Sequence, residues 1–254
     1  MADYGNVHDA PAVPLNSDDP RKQVQGGGDR GFNLGGHEFT NQQLGIAGGI
    51  LGTATAIGLG AFAYDKYNDS KEQAAEDEWG FKNWEADAHR RQGEYLEAVK
   101  ANKDLPKLTW VLTDANNIPQ GAIRGGQESD GTPLYIARAF HEQGVHIGTA
   151  SANFKDGAHI AYNGKQIEVP KYEILLGYES AVRWVDGQGP LKNLIGKPVE
   201  GGREPDGTPI YIGQGHLKNS VRPGKVGANF DGCLIAYDND EEKERNYRYL
   251  VYAQ

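Results

Sequence analysis

The 254-residue chain is acidic, with 26 basic against 35 acidic side chains, and its 35 glycines and 12 prolines point to a part that does not pack. The charge is uneven: residues 1–104 carry 10 basic and 17 acidic residues, the remainder 16 and 18. Neither half has a basic block, which argues against nucleic acid as partner. Cys233 is the only cysteine, which excludes an internal disulfide and Cys-x-x-Cys zinc sites.

The first segment, 1–39, is rich in Gly, Asp, Asn and Pro, with few large apolar residues to offset its ordering entropy, and is expected to be a disordered tail. Its Gly26-Gly27-Gly28-Asp29-Arg30-Gly31 run satisfies the dinucleotide pattern in letters only, because no strand precedes it and no helix follows. No basic region followed by an apolar core marks a secretory signal, so the expected setting is cytoplasmic, with membrane association left open.

Segment 40–64 reads as a glycine-zipper helix. Leu44 to Tyr64 carries no charge, Thr40 and Gln43 form a capping box, and Gly48, Gly52, Ala56 and Gly60 recur every four residues. Such a stripe lets another backbone approach closely. Three readings stay open: a membrane-inserting element, a self-association surface that makes the chain a homo-oligomer, or a flexible linker.

Segment 65–104 is charged and helical in period, with Phe81, Trp84, Ala88, Tyr95 and Val99 near one face. Gly80 and Gly93 are expected to break it into two or three pieces. The stripe is expected to dock on the following domain or on a copy of itself.

From Leu105 onward the chain reads as mainly β. Short runs such as Leu108–Leu112, Pro133–Arg138, Ala158–Tyr162, Gln166–Val169, Glu173–Leu176, Arg183–Val185, Pro209–Gln214, Leu234–Tyr237 and Tyr247–Tyr252 are rich in Ile, Val, Tyr and Leu. The unit Gly125-Gly-Gln-Glu-Ser-Asp-Gly-Thr-Pro-Leu-Tyr-Ile136 returns as Gly201-Gly-Arg-Glu-Pro-Asp-Gly-Thr-Pro-Ile-Tyr-Ile212. Ala152-Asn153-Phe154 returns as Ala228-Asn229-Phe230, and Ile160-Ala161-Tyr162 as Ile235-Ala236-Tyr237. Two tandem β repeats, 105–180 and 181–254, are expected to fold as one pseudo-twofold body of sandwich or barrel type.

The motifs of common enzymes are missing, so no catalytic residue, metal or cofactor is expected. Asp130-Gly131 and Asp206-Gly207 are strong turn pairs. Glu128 and Glu204, two residues earlier, are less well explained by turn chemistry. A carboxylate there could accept from vicinal sugar hydroxyls while a cation donates to another oxygen. Lys225 supplies that cation in the second copy, whereas Thr149 stands in its place in the first, so the second copy is expected to bind better. Tyr135 and Tyr211 follow the turn and could stack on a pyranose or pack as core tyrosines.

These motifs in this order, with Trp110 and Trp184 upstream, Pro223-Gly-Lys-Val226 and a closing Tyr-x-x-Leu, resemble the DM-nine repeat family of oyster mannose-binding lectins and natterin-type toxins. The resemblance covers Leu108 to Gln254. It implies a two-repeat β fold that recognises mannose-type glycans, with Glu204 and Lys225 as sugar contacts in copy two and Glu128 in copy one. Asp206, Tyr211, Asp130 and Tyr135 complete the expected site. The chain departs from the lectin members in having Glu where they carry Asp, and in Thr149. The alternative is a membrane-associated oligomerising protein whose repeats contact proteins and bind no glycan.

Overall fold

A computed structural model describes residues 71–253 together with two short strands, β1 (Phe32–Leu34) and β2 (His37–Phe39), which pair antiparallel. That ribbon lies within the expected tail, which is therefore not wholly irregular. The glycine-zipper segment 40–64 lies outside the described residues. Among the described residues no helix is long and apolar enough to cross a membrane.

Helix α1 (Lys71–Lys100) is one continuous element of 30 residues, not the two or three pieces expected from Gly80 and Gly93. Packing explains the difference. A Cβ on Gly80 would lie 2.7 Å from the Phe140 ring, so glycine admits that ring against the helix. Trp84 and Ala88 pack with Leu112, Phe140 and Val145, while Tyr95 and Leu96 join the core beneath. Arg91 reaches the fully buried Glu173 at 2.8 Å and Arg138 binds the other oxygen at 2.7 Å, so this carboxylate is neutralised from both sides. The apolar stripe therefore docks on the β domain, as its spacing predicts.

Fourteen strands follow: β3 (Leu108–Asp114), β4 (Arg124–Gln127), β5 (Pro133–His141), β6 (Gly144–Ala150), β7 (Ala158–Tyr162), β8 (Lys165–Val169), β9 (Lys171–Gly177), β10 (Val182–Gln188), β11 (Glu200–Arg203), β12 (Pro209–Leu217), β13 (Ser220–Val226), β14 (Cys233–Tyr237), β15 (Asp240–Glu244) and β16 (Asn246–Tyr252). The neighbours β6, β7, β8, β15, β14, β13, β12 and β11 close on themselves as an eight-stranded barrel. Closure leaves these eight without a free edge. The fold is mainly β, with the expected barrel.

The two halves interlock. β4 of the first half pairs with β13 of the second at Gln127 and Val221, and β11 of the second pairs with β6 of the first at Arg203 and Val145. These two joints are equivalent positions of the two copies. At each, glycine is required by close approach, since a Cβ on Gly126 would fall on the Val221 carbonyl and one on Gly202 on the Val145 carbonyl.

The sequence-predicted runs all fall inside observed strands. Those it missed among β3 to β16, namely β4, β6, β11, β13 and β15, are rich in glycine or charge, and four of them form the two joints. Cys233 is buried, and burial pushes its thiol pKa up, which makes it inert.

Gly202→Ala is expected to cost stability by overpacking, about 3 kcal/mol. Gly93→Ala, where a Cβ meets nothing within 4 Å, is expected to raise stability by up to about 1 kcal/mol. Urea unfolding of both variants measures the contrast.

Candidate carbohydrate site

Each copy presents its acid in the same local frame. The Glu128 amide donates to the Thr132 carbonyl at 2.9 Å and Gly131 donates back to the Glu128 carbonyl at 3.0 Å; Glu204, Thr208 and Gly207 repeat this at 2.9 and 2.9 Å. The glycines sit at φ of 87° and 85°, where a side chain would be strained. Asp130 and Asp206 accept from the Thr132 and Thr208 amides at 2.9 and 2.8 Å. Those backbone bonds hold both aspartates below the usual carboxylate range. Their Oδ1 atoms thus close the turns.

The acids then meet different surroundings, and in both cases the opposite repeat supplies part of them. Near Glu204, the Lys225 ammonium stands 3.4 Å from Oε1 and 3.5 Å from Nδ1 of His146, a residue of the first repeat. Nε2 of His146 lies 3.1 Å from the His141 carbonyl. A proton on Nε2 satisfies that carbonyl and leaves Nδ1 a bare acceptor for Lys225. Lys225 also lies 5.5 Å from the Tyr162 ring and 5.1 Å from that of Phe230. Glu241 faces the same charges: burial raises its pKa while Lys225 opposes the shift, and its Oε2 is buried without a hydrogen-bond partner.

Near Glu128 the cation is an arginine from the second repeat. Nη2 of Arg222 contacts both carboxylate oxygens, at 2.6 and 2.5 Å, and its Nε donates to Ser220 at 3.1 Å. The guanidinium lies 4.5 Å from the Tyr237 ring. Thr149 donates to the Pro223 carbonyl at 3.1 Å and has no part in the pair. The expectation that Glu128 lacks a cation because Thr149 replaces lysine is thus corrected.

The expected site residues divide. Glu204 and Lys225 come together, Glu128 stands apart with Arg222, and Asp130 and Asp206 serve the turns. Tyr135 and Tyr211 pack against the core clusters of their own repeats. The rings beside the charged pairs are Tyr162 and Phe230 at Lys225 and Tyr237 at Arg222. Arg222, His146, Tyr162, Tyr237 and Glu241 were missed; the repeated Ile-Ala-Tyr was visible in the sequence, but nothing there shows that each tyrosine crosses to the other copy's acid.

A family model for the DM9 repeat matches residues 73–155 and 150–244, more than half of the chain. The chain belongs to the DM9 repeat family. The family is lectin-like in general. The first DM9 match begins inside α1, so that helix is part of the matched unit. No curated protein matches the chain. Among the described residues no group of His, Cys, Asp or Glu could hold a metal ion. A cleft of about 530 Å³ between α1 and strands β5 and β11, lined by Trp79, Trp84, Arg138 and Arg203, holds none of the expected sugar contacts.

Burial first and Lys225 second lower the His146 pKa from 6.5 to about 3, and burial lowers His141 and His159 to about 4. A histidine whose folded pKa lies below its unfolded one contributes stability that is full above the unfolded value and is lost as pH falls toward the folded one. Stability is expected to decline from about pH 6.5 toward pH 4. Imidazole NMR signals of these three residues are expected to remain those of neutral rings at about pH 5, and titration near the ordinary histidine value contradicts this account.

Proposed function

We propose that this DM9 protein is a non-enzymatic carbohydrate-binding protein that recognises mannose-type glycans at Glu204 and Lys225. The observation that carries the reading is the looseness of that pair. At 3.4 Å the ammonium stands near Oε1 of Glu204 without a short bond, and the neutral His146 ring lies 3.7 Å from the same oxygen. A carboxylate held this way can accept from two vicinal hydroxyls while the ammonium turns a proton toward a third sugar oxygen. Lys225 is 3% exposed, so it works from the floor of the site, and its low exposure strengthens a charge-assisted bond. Tyr162 and Phe230 border the ammonium and offer apolar edges to the sugar C–H groups.

The glycine pattern of Gly48, Gly52, Ala56 and Gly60 supports a second part of the proposal. The zipper tethers the DM9 domain to a membrane or to further copies of the chain, which would array weak sites for multivalent binding.

Isothermal titration of the full chain with mannose and mannobiose is expected to give heat that Glu204→Ala and Lys225→Ala each reduce by about tenfold or more in affinity, the value of a charge-assisted bond. No heat at millimolar sugar overturns the reading. Liposome flotation compares the full chain with one starting at Asp65; equal flotation removes the membrane tether.

A further inference from the structure

We infer that the two acids are not equivalent binding sites: the chain carries one sugar site, at Glu204, and a second, latent one at Glu128 that Arg222 holds shut. This rests on the reading of Glu204 and Lys225 as the sugar contacts. The pseudo-twofold relation fixes which residues to compare. Pairing of β5 with β6 places Tyr135 opposite Ala150, and pairing of β12 with β13 places Tyr211 opposite Val226. In this register Glu128 corresponds to Glu204, Thr149 to Lys225, and His146 to Arg222.

The four residues follow one rule. Each acid receives a single cation, and the position across the repeat boundary from that cation is neutral. At Glu204 the cation is Lys225, from the same repeat, and its neighbour His146 is kept uncharged by burial and by that lysine. At Glu128 the cation is Arg222, from the other repeat, and the position matching Lys225 is the uncharged Thr149. Because Lys225 stands 3.5 Å from His146, a lysine at position 149 would stand against Arg222 by the same relation. Two buried cations at that spacing repel. Lysine at 149 and arginine at 222 therefore exclude each other.

The two solutions differ in what they leave for a ligand. Lys225 makes only long contacts, whereas Arg222 occupies both oxygens of Glu128 and spends its Nε on Ser220. A sugar at Glu204 needs no bond broken. A sugar at Glu128 must displace a short, twofold contact from a guanidinium that is 6% exposed, which leaves a buried charge without its partner. A third difference points the same way, since Gln166 on β8 corresponds to Glu241 on β15, so the latent site also lacks the second carboxylate.

Three exchanges should open it: Thr149→Lys, Gln166→Glu and Arg222→His, which give the site at Glu128 the residues of the site at Glu204. Equilibrium dialysis of the full chain against radiolabelled mannobiose counts the sites. Wild type is expected to saturate at one sugar per chain and the triple variant at two. Two sugars per wild-type chain overturn the inference whether or not the variant folds. One sugar per chain in a triple variant that retains the wild-type circular dichroism spectrum also overturns it, with the reading of Glu204 intact. No saturable uptake by either protein defeats both.

Discussion

The reciprocal crossing of the two repeats is the constraint on which the rest of the structure depends. β4 lies against β13 and β11 against β6, and at each crossing one glycine lies where any side chain would strike the opposing carbonyl. The β11–β6 contact lies in the closed ring of the barrel, and the two crossings carry each Glu-x-Asp-Gly turn across to the partner repeat. Glu128 is brought to the strand bearing Arg222, and Glu204 to the strand bearing His146. Each acid thus takes side chains from the opposite copy, so one copy folded alone would present neither site entire.

Electrostatics then sets the character of each site. Burial makes an uncompensated charge costly, so each buried cation is matched to one carboxylate. Arginine and lysine meet that demand differently. The planar guanidinium contacts both oxygens of Glu128 and leans on Tyr237, giving a closed pair. The lysine, a point charge among Glu204, His146, Tyr162 and Phe230, leaves hydrogen-bonding capacity on both sides. Duplication supplied two equivalent frames, and a change of cation gives them different pairings.

Much of the fold was legible in the sequence because the apolar strands, the Asp-Gly turns and the repeated block each leave a local signature. The amphipathic stripe of α1 was legible for the same reason, while its continuity was not, since Gly80 is supported by a ring brought from β5. The strands that escaped notice, such as Arg124–Gln127 and Glu200–Arg203, are short and glycine-rich. Each pairs with the next strand of its own repeat and, at one position, with a strand of the other repeat, a partner that no local pattern encodes. The candidate site divides along the same line. Glu204 and Lys225 lie in one repeat and could be paired from the motif, whereas Arg222 with Glu128 and His146 with Lys225 depend on the crossing.

The proposed sugar site is an acid whose other walls come from the opposite repeat. A crystal structure of the full chain soaked with mannose tests it most directly. One pyranose is expected, with two hydroxyls on Glu204, an oxygen on Lys225, and contacts to Tyr162 of the first repeat. A pyranose on Glu128, or one seated only in the cleft beside Trp79, would contradict it.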